Sequence, residues 1–238
     1  MIDASTTLGD VITSHPALTG ELERRGLDYC CGGDRTLAAA CTERGLDVAA
    51  TLDELRAAAA ATVGEAPDWA SMGVAELVDH LEATHHRFLW DEVPRLSSLL
   101  DRIVAVHGER HPELFEVARR FDELRVDLEP HLAEEERVVF PWIRQLATGT
   151  APLLPSGSSG HPLARLLAEH DRIGELFVDL RRLTDAYRPP PDGCASYRAC
   201  YAGLAELEAD THLHVHKENN LLFPAVKRLA ERLAGAPV

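Results

Sequence analysis

The chain has 238 residues, 45% of them apolar, with 39 acidic against 24 basic side chains and a formal net charge of −15. That length holds one large domain or a large domain with a small companion. The acidic balance excludes a nucleic-acid partner, whose phosphates need a basic face, and docking on an anionic membrane surface.

The N-terminus, MIDASTTLGDVI, has no basic leader and no long apolar run. No window approaches the roughly 18 apolar residues of a membrane span, so the expected location is the cytoplasm. Five cysteines, Cys30, Cys31, Cys41, Cys194 and Cys200, fit free thiols in a reducing compartment. Period-two alternation is nearly absent, and Ala, Leu, Arg and Glu at helical spacing dominate. A small N-terminal helical domain is expected over residues 1–61, broken at His15-Pro16 and at Cys31-Gly32-Gly33. A linker follows over residues 62–70, then a bundle over 71–238 with helices near 71–106, 112–147, 162–187 and 195–233. Gly108, His111-Pro112, the run TGTAPLLPSGSSGHP and the run RPPPDG mark the breaks. The predicted fold class is all-α, an antiparallel four-helix bundle behind the small domain.

Within the first domain, Asp28-Tyr29-Cys30-Cys31-Gly32-Gly33 stands out. Neighbouring cysteines rarely bridge each other, because the geometry is strained, and the two glycines permit close backbone approach. The pair suits thiol transfer or a metal relay. It equally suits a helix end with small buried thiols. Cys41, Cys194 and Cys200 read as ordinary small apolar residues or as unremarkable thiols.

The bundle contains an internal repeat. HLAEEERVVFPWI (131–143) and HVHKENNLLFPAV (214–226) share His-x3-Glu-x4-Phe-Pro. Residues four apart on a helix share a face, so each segment aims one imidazole and one carboxylate the same way. In the second bundle helix the apolar seam runs Phe121, Leu124, Leu128, His131, Glu135, Val138, Trp142. In the fourth it runs Leu204, Leu207, Thr211, His214, Glu218, Leu221, Ala225. The third seam is Leu163, Leu166, His170, Ile173, Phe177, Leu180, and the first is His86, Leu89, Val93, Leu96, Leu100, Ile103. His86 and His131 are 45 residues apart and His170 and His214 are 44 apart, as two duplicated hairpins would be.

One histidine in an apolar seam is commonly a hydrogen-bonded core residue. Four imidazoles and two carboxylates at one core level need a compensating charge. Two metals bridged by carboxylates supply it; nitrogen and carboxylate donors exclude neither zinc nor manganese, and paired metals in a bundle favour iron. His85 adjoins His86 and competes with it. His212 and His216 flank His214 on another face and are expected to be exposed or to support the ligands from outside. His80 lies on a polar face, His107 and His111 at a helix break, and His161 in a loop.

These residues resemble the iron–sulfur cluster repair di-iron proteins of the ScdA/YtfE type, over nearly the whole chain. The likeness rests on Thr7 to Ile12, DYCCGG, Leu37 and Gly45-Leu46-Asp47. It continues through Asp79-His80 to His86, His131 with Glu135, Glu169-His170-Asp171, and His214 with Glu218-Asn219-Asn220-Leu221-Leu222-Phe223-Pro224. The resemblance implies a hemerythrin-like bundle. It makes His86, His131, His170 and His214 terminal ligands and Glu135 and Glu218 bridging carboxylates of two non-haem iron ions (Fe2+/Fe3+), with an oxo or hydroxo bridge. It prefers His86 to His85, although the family commonly has tyrosine where this chain has His85. It implies repair of clusters damaged by nitric oxide or oxidants, with damaged or apo iron–sulfur proteins as partners, and Cys30 and Cys31 passing iron or sulfur. The rival expectations are reduction of nitric oxide or peroxide at the irons, and a carrier or sensor of oxygen or nitric oxide.

Overall fold

The computed structural model describes residues 2–61, 68–150 and 162–235. The expected linker thus lies largely outside the described residues, as do His161 and most of the run before it. Among the described residues the secondary structure is helical, apart from one isolated antiparallel bridge between Thr7 and Thr36. The chain divides into two compact units, Met1–Leu77 with His212–Val238, and Val78–Thr211.

The first unit begins with α1 (Leu8–Ser14), α2 (Thr19–Arg24), α3 (Leu37–Glu43) and α4 (Val48–Ala61). Thr7 and Thr36 cap α1 and α3, their hydroxyl oxygens accepting from Asp10 N and Ala39 N. Gly26, at φ +64°, ends α2, with the Leu27 amide donating to the Leu22 carbonyl. Short capped helices of this kind need a shared core to persist. They bury Leu8, Val11, Ile12, Leu22, Leu37 and Leu55, and Val215 from the C-terminal segment lies in the same core. Residues 214–218 are buried in succession, so this stretch of the helix is covered all round and Val215 has a core of its own on a face away from that of His214.

The second unit is built on α6 (Arg87–His107), α7 (Glu113–Glu134), α8 (Phe140–Ala147), α9 (Pro162–Leu183) and α10 (Ala195–Lys217) as far as Thr211. Its core joins Leu89, Val93 and Leu96 of α6, Phe121, Leu124 and Leu128 of α7, Ile173 and Phe177 of α9, and Leu204 and Leu207 of α10. The preceding α5 (Val74–Leu81) and the last helix, α11 (Phe223–Gly235), complete the chain.

Three of the four expected helices are interrupted. π turns occupy Glu82–His86, Glu135–Val139 and Glu218–Leu222. A π turn bonds i to i+5 and so inserts one residue into the α pattern. The seam beyond Glu135 and beyond Glu218 shifts by one. Val139 and Ile143 are buried where Val138 and Trp142 are expected, and Val138 is 56% exposed. Likewise Leu222 and Val226 are buried, while Leu221 and Ala225 are only half-buried. The third helix is uninterrupted but stops at Leu183 instead of 187, because Asp185, Ala186 and Tyr187 take left-handed conformations (φ 48°, 56° and 60°). The Thr184 hydroxyl holds that turn, donating to the Leu180 carbonyl at 2.7 Å and accepting from Tyr187 N at 3.0 Å.

Candidate metal centre

In the second unit four expected ligands converge. His86 ends one π turn, Glu135 opens the next, His131 lies one turn earlier on α7, and His170 is on α9. Glu135 is fully buried, and the three histidines are 1–3% exposed. Oε2 of Glu135 lies 3.3 Å from His131 Nε2 and 3.5 Å from His86 Nε2. His170 Nε2 lies 3.1 Å from His131 Nε2. Glu135 thus stands between His86 on one side and the His131–His170 pair on the other.

The outer nitrogens fix the tautomers. His131 Nδ1 is 2.8 Å from Glu169 Oε2, and the imidazole holds that carboxyl below its usual range, so the carboxylate accepts and Nδ1 carries the proton. His86 Nδ1 is 3.1 Å from Glu136 Oε1, which also accepts from Trp90 Nε1 at 2.7 Å. In the neutral imidazoles both Nε2 atoms therefore present lone pairs toward Glu135. Lone pairs and a buried carboxylate turned toward one another repel unless a cation lies among them. Nitrogen and carboxylate donors backed by outer carboxylates suit a transition metal such as non-haem iron.

The first unit holds the other half of the repeat. His214 Nε2 is 3.2 Å from Glu218 Oε1, both residues are buried, and Glu218 opens its own π turn. The His131–Glu135 geometry is thus reproduced at the second His-x3-Glu.

Asn219 and Asn220 follow Glu218 and reach the cysteine turn. Asn220 Nδ2 donates to the carbonyls of Cys30 at 3.1 Å and Tyr29 at 3.3 Å, and Asn219 Nδ2 donates to that of Cys30 at 3.3 Å. Asp28 folds the turn, its carboxylate accepting from the amides of Cys30, Cys31 and Gly32 at 3.0–3.1 Å. Asp28, Cys30 and Cys31 place one donor atom each within 4.8 Å of one another. Cys30 is buried, and its thiol is pushed well above its ordinary pKa, first by the hydrogen bond to Cys31 and then by burial. Cys31 is half-buried, with its sulfur 3.9 Å from that of Cys30.

The competing residues sort by contact. His85 is buried and turns Nδ1 to Asp210 Oδ1 at 2.9 Å. His216, expected outside the core, is fully buried and pushed down to about 4 by desolvation. Its Nδ1 meets the Tyr29 carbonyl and its Nε2 the Thr13 hydroxyl, each at 3.3 Å. His216 lies off the seam of Thr211, His214 and Glu218, on a second face of the helix that is also buried. Cys194 also departs from expectation. It is exposed, its thiol is lowered by the Tyr197 amide, and its sulfur lies 3.2 Å from His107 Nε2. Cys200 matches the small buried residue expected, its thiol pushed up to about 12 by burial.

Residues 76–226 match the family model described as the hemerythrin HHE cation binding domain. Residues 4–59 match a second model, described as a domain of unknown function (DUF542). Proteins named iron–sulfur cluster repair protein YtfE from Citrobacter koseri and Escherichia coli are each 32% identical to this chain over 220 residues, which is 91% of the chain and 94% of the relative. The protein of that name from Cronobacter sakazakii is 32% identical over 217 residues, with the same coverage.

Proposed function

Because the chain belongs to the iron–sulfur cluster repair family, with a hemerythrin HHE domain as its larger part, we propose that it restores clusters damaged by nitric oxide or oxidants by giving up iron from a two-iron centre. His86, His131, His170 and His214 are the terminal ligands in this reading, and Glu135 and Glu218 bridge. Residues 1–61 form the cysteine-bearing domain and 71–238 the iron-holding one. The recipients are damaged or apo iron–sulfur proteins in the cytoplasm. Among the described residues no helix is long and apolar enough to cross a membrane.

The observation that carries this reading is Glu135, fully buried and facing the Nε2 atoms of His86 and His131 from a position between them. A carboxylate so placed would help hold a metal together with either histidine. The repeated geometry of His214 with Glu218 supports a second bridge. When bound, iron supplies open coordination positions for small ligands such as nitric oxide or oxygen, and it is also the cargo. The chain's own work is to keep the imidazoles neutral and aimed. Glu169 and Glu136 do this by holding the Nδ1 protons outward. Protonation of these donors at low pH would weaken the hold on iron. The Cys31 thiol is the more accessible of the pair for meeting a recipient.

The test is iron content per chain after anaerobic purification, read beside reactivation of a nitric oxide-damaged [4Fe–4S] enzyme. About two irons are expected in the wild type, as in other carboxylate-bridged bundles, with both iron and reactivation lost in Glu135→Ala. Reactivation that persists in an iron-free variant would overturn iron donation.

A further inference from the structure

Two motifs from opposite ends of the sequence, DYCCGG and ENNLLFP, meet inside the first unit. The meeting point is the side chain of Asn220. A Cβ built on Gly33 would lie 2.2 Å from Asn220 Oδ1, and one built on Gly9 would lie 2.9 Å from it. The amide therefore fills a space that only glycine at both positions leaves open. From that seat its Nδ2 donates to the carbonyls of Cys30 and Tyr29. Asn219 adds a second donor to the Cys30 carbonyl. The Gly9 amide donates to the Gly33 carbonyl at 2.8 Å, closing the cradle from the other side.

These bonds hold the backbone of the cysteine turn and leave its thiols untouched. Asn219 and Asn220 belong to the π turn that Glu218 opens. A π turn departs from the i to i−4 pattern and commonly marks a functional site. A shift of the cysteine turn is thereby delivered two residues from the Glu218 carboxylate. Fixed dipoles that orient a ligand in this way tune how firmly a metal is held.

We propose that Asn220 is a positioning residue that couples the Cys30–Cys31 turn to the Glu218 carboxylate, so that a ligand or modification on the Cys31 thiol changes how firmly iron is held. This rests on the reading of Glu218 as an iron ligand. It assigns the cysteine turn a role as the trigger of release, distinct from a role as a carrier. Cys31 is the residue that receives the signal, because Cys30 is buried with its thiol turned to Asp28 Oδ1 at 3.2 Å.

The experiment uses the full-length, iron-loaded protein with Cys194→Ser, which removes the exposed thiol outside the turn, while Cys41 and Cys200 are buried. Ferrous iron release to ferrozine is timed before and after reaction of Cys31 with N-ethylmaleimide. In the parent, alkylation is expected to change the release rate by about tenfold, the equivalent of losing one or two amide–carbonyl bonds. In Asn220→Asp, a carboxylate faces two carbonyls in place of a donor. Iron content is expected to match the parent, and alkylation is expected to leave the release rate where it was. Asn220→Ser, small enough for the same cradle, is expected to lose the coupling likewise and serves if the aspartate variant fails to load iron. A release rate unmoved by alkylation in the parent, or moved equally in the Asn220 variants, overturns the coupling. Full iron content in Glu218→Ala overturns the ligand reading instead, and that result is separable from the other two.

Discussion

The helix carrying His170 and the one carrying His131 and Glu135 were built from the same seam, and only one of them keeps it. In α9 every position expected from steps of three and four is buried, from Leu163 through Leu180. In α7 the same steps hold from Phe121 to Glu135 and then fail, because the π turn moves the buried face from Val138 and Trp142 to Val139 and Ile143. A helix that turns one buried imidazole into the core can remain α throughout, as α9 does. A helix that presents an imidazole and a carboxylate to the same point, and must still cover the core beyond them, takes up a one-residue offset. Both His-x3-Glu segments do so at the Glu.

The sharpest break of that comparison is a pair of neighbouring charges. Val139→Asp is expected to cost about 3–5 kcal/mol, as an unpaired charge in a buried site does. Val138→Asp should stay within about 0.5 kcal/mol, as exposed substitutions do. An uninterrupted helix predicts the reverse order, and urea denaturation decides between them. The matched pair in α9 is Leu166→Asp against Leu167→Asp, where Leu166 is buried and Leu167 is 41% exposed. There the original seam already gives the right order.

A smaller effect separates the ligand-bearing turns from the carboxylates behind them. Glu169→Gln keeps the size of the side chain but removes the charge that holds the His131 Nδ1 proton. Iron affinity is expected to fall by about 10–100-fold, the usual cost of losing such a partner. Competition with a chelator measures it, and unchanged affinity would mean that Glu169 orients nothing.

Much of this was legible in the residues. The duplicated His-x3-Glu and the seams as far as Glu135 and Glu218 follow from spacing, because a buried polar residue in an apolar stripe is conspicuous, whereas the preference for His86 over His85 came from the resemblance. The π turns were not legible, because the composition of Glu135–Val139 or Glu218–Leu222 differs little from that of an α-helix. The burial of His216 was missed because it depends on a second core, built by the N-terminal segment, which Val215 beside it also enters. The contact of Cys194 with His107 was missed because the two residues, 87 apart, meet only through the chain's return at the RPPPDG break.

The smallest expected effect lies at that break. His111 Nε2 is 3.0 Å from Asp192 Oδ1 and its Nδ1 is 3.1 Å from Glu113 Oε1. The hydrogen bond to Asp192 is the chief cause of the rise in the His111 pKa above its ordinary value, and the Asp192 carboxyl is lowered in return. A histidine whose folded pKa is raised contributes stability that is complete below the unfolded value and fades as pH rises through the folded one. The wild type should therefore exceed Asp192→Asn in stability near pH 6, with the gap closing toward pH 8. Thermal midpoints at the two pH values test this, and a gap that widens with pH would contradict it.

The π turns also decide where the chain can lose a residue. Each of the three stretches is an α-helix carrying one surplus residue. Removing the exposed Val138 from 135–139 would restore regular winding and leave Phe140, Ile143 and Leu146 on the core they now fill. Removing one residue from the middle of the uninterrupted α9 would instead swing everything beyond it by about 100° around the helix axis. Single-residue gaps in an alignment of related chains would thus be tolerated in these five-residue windows and purged from helices such as α9.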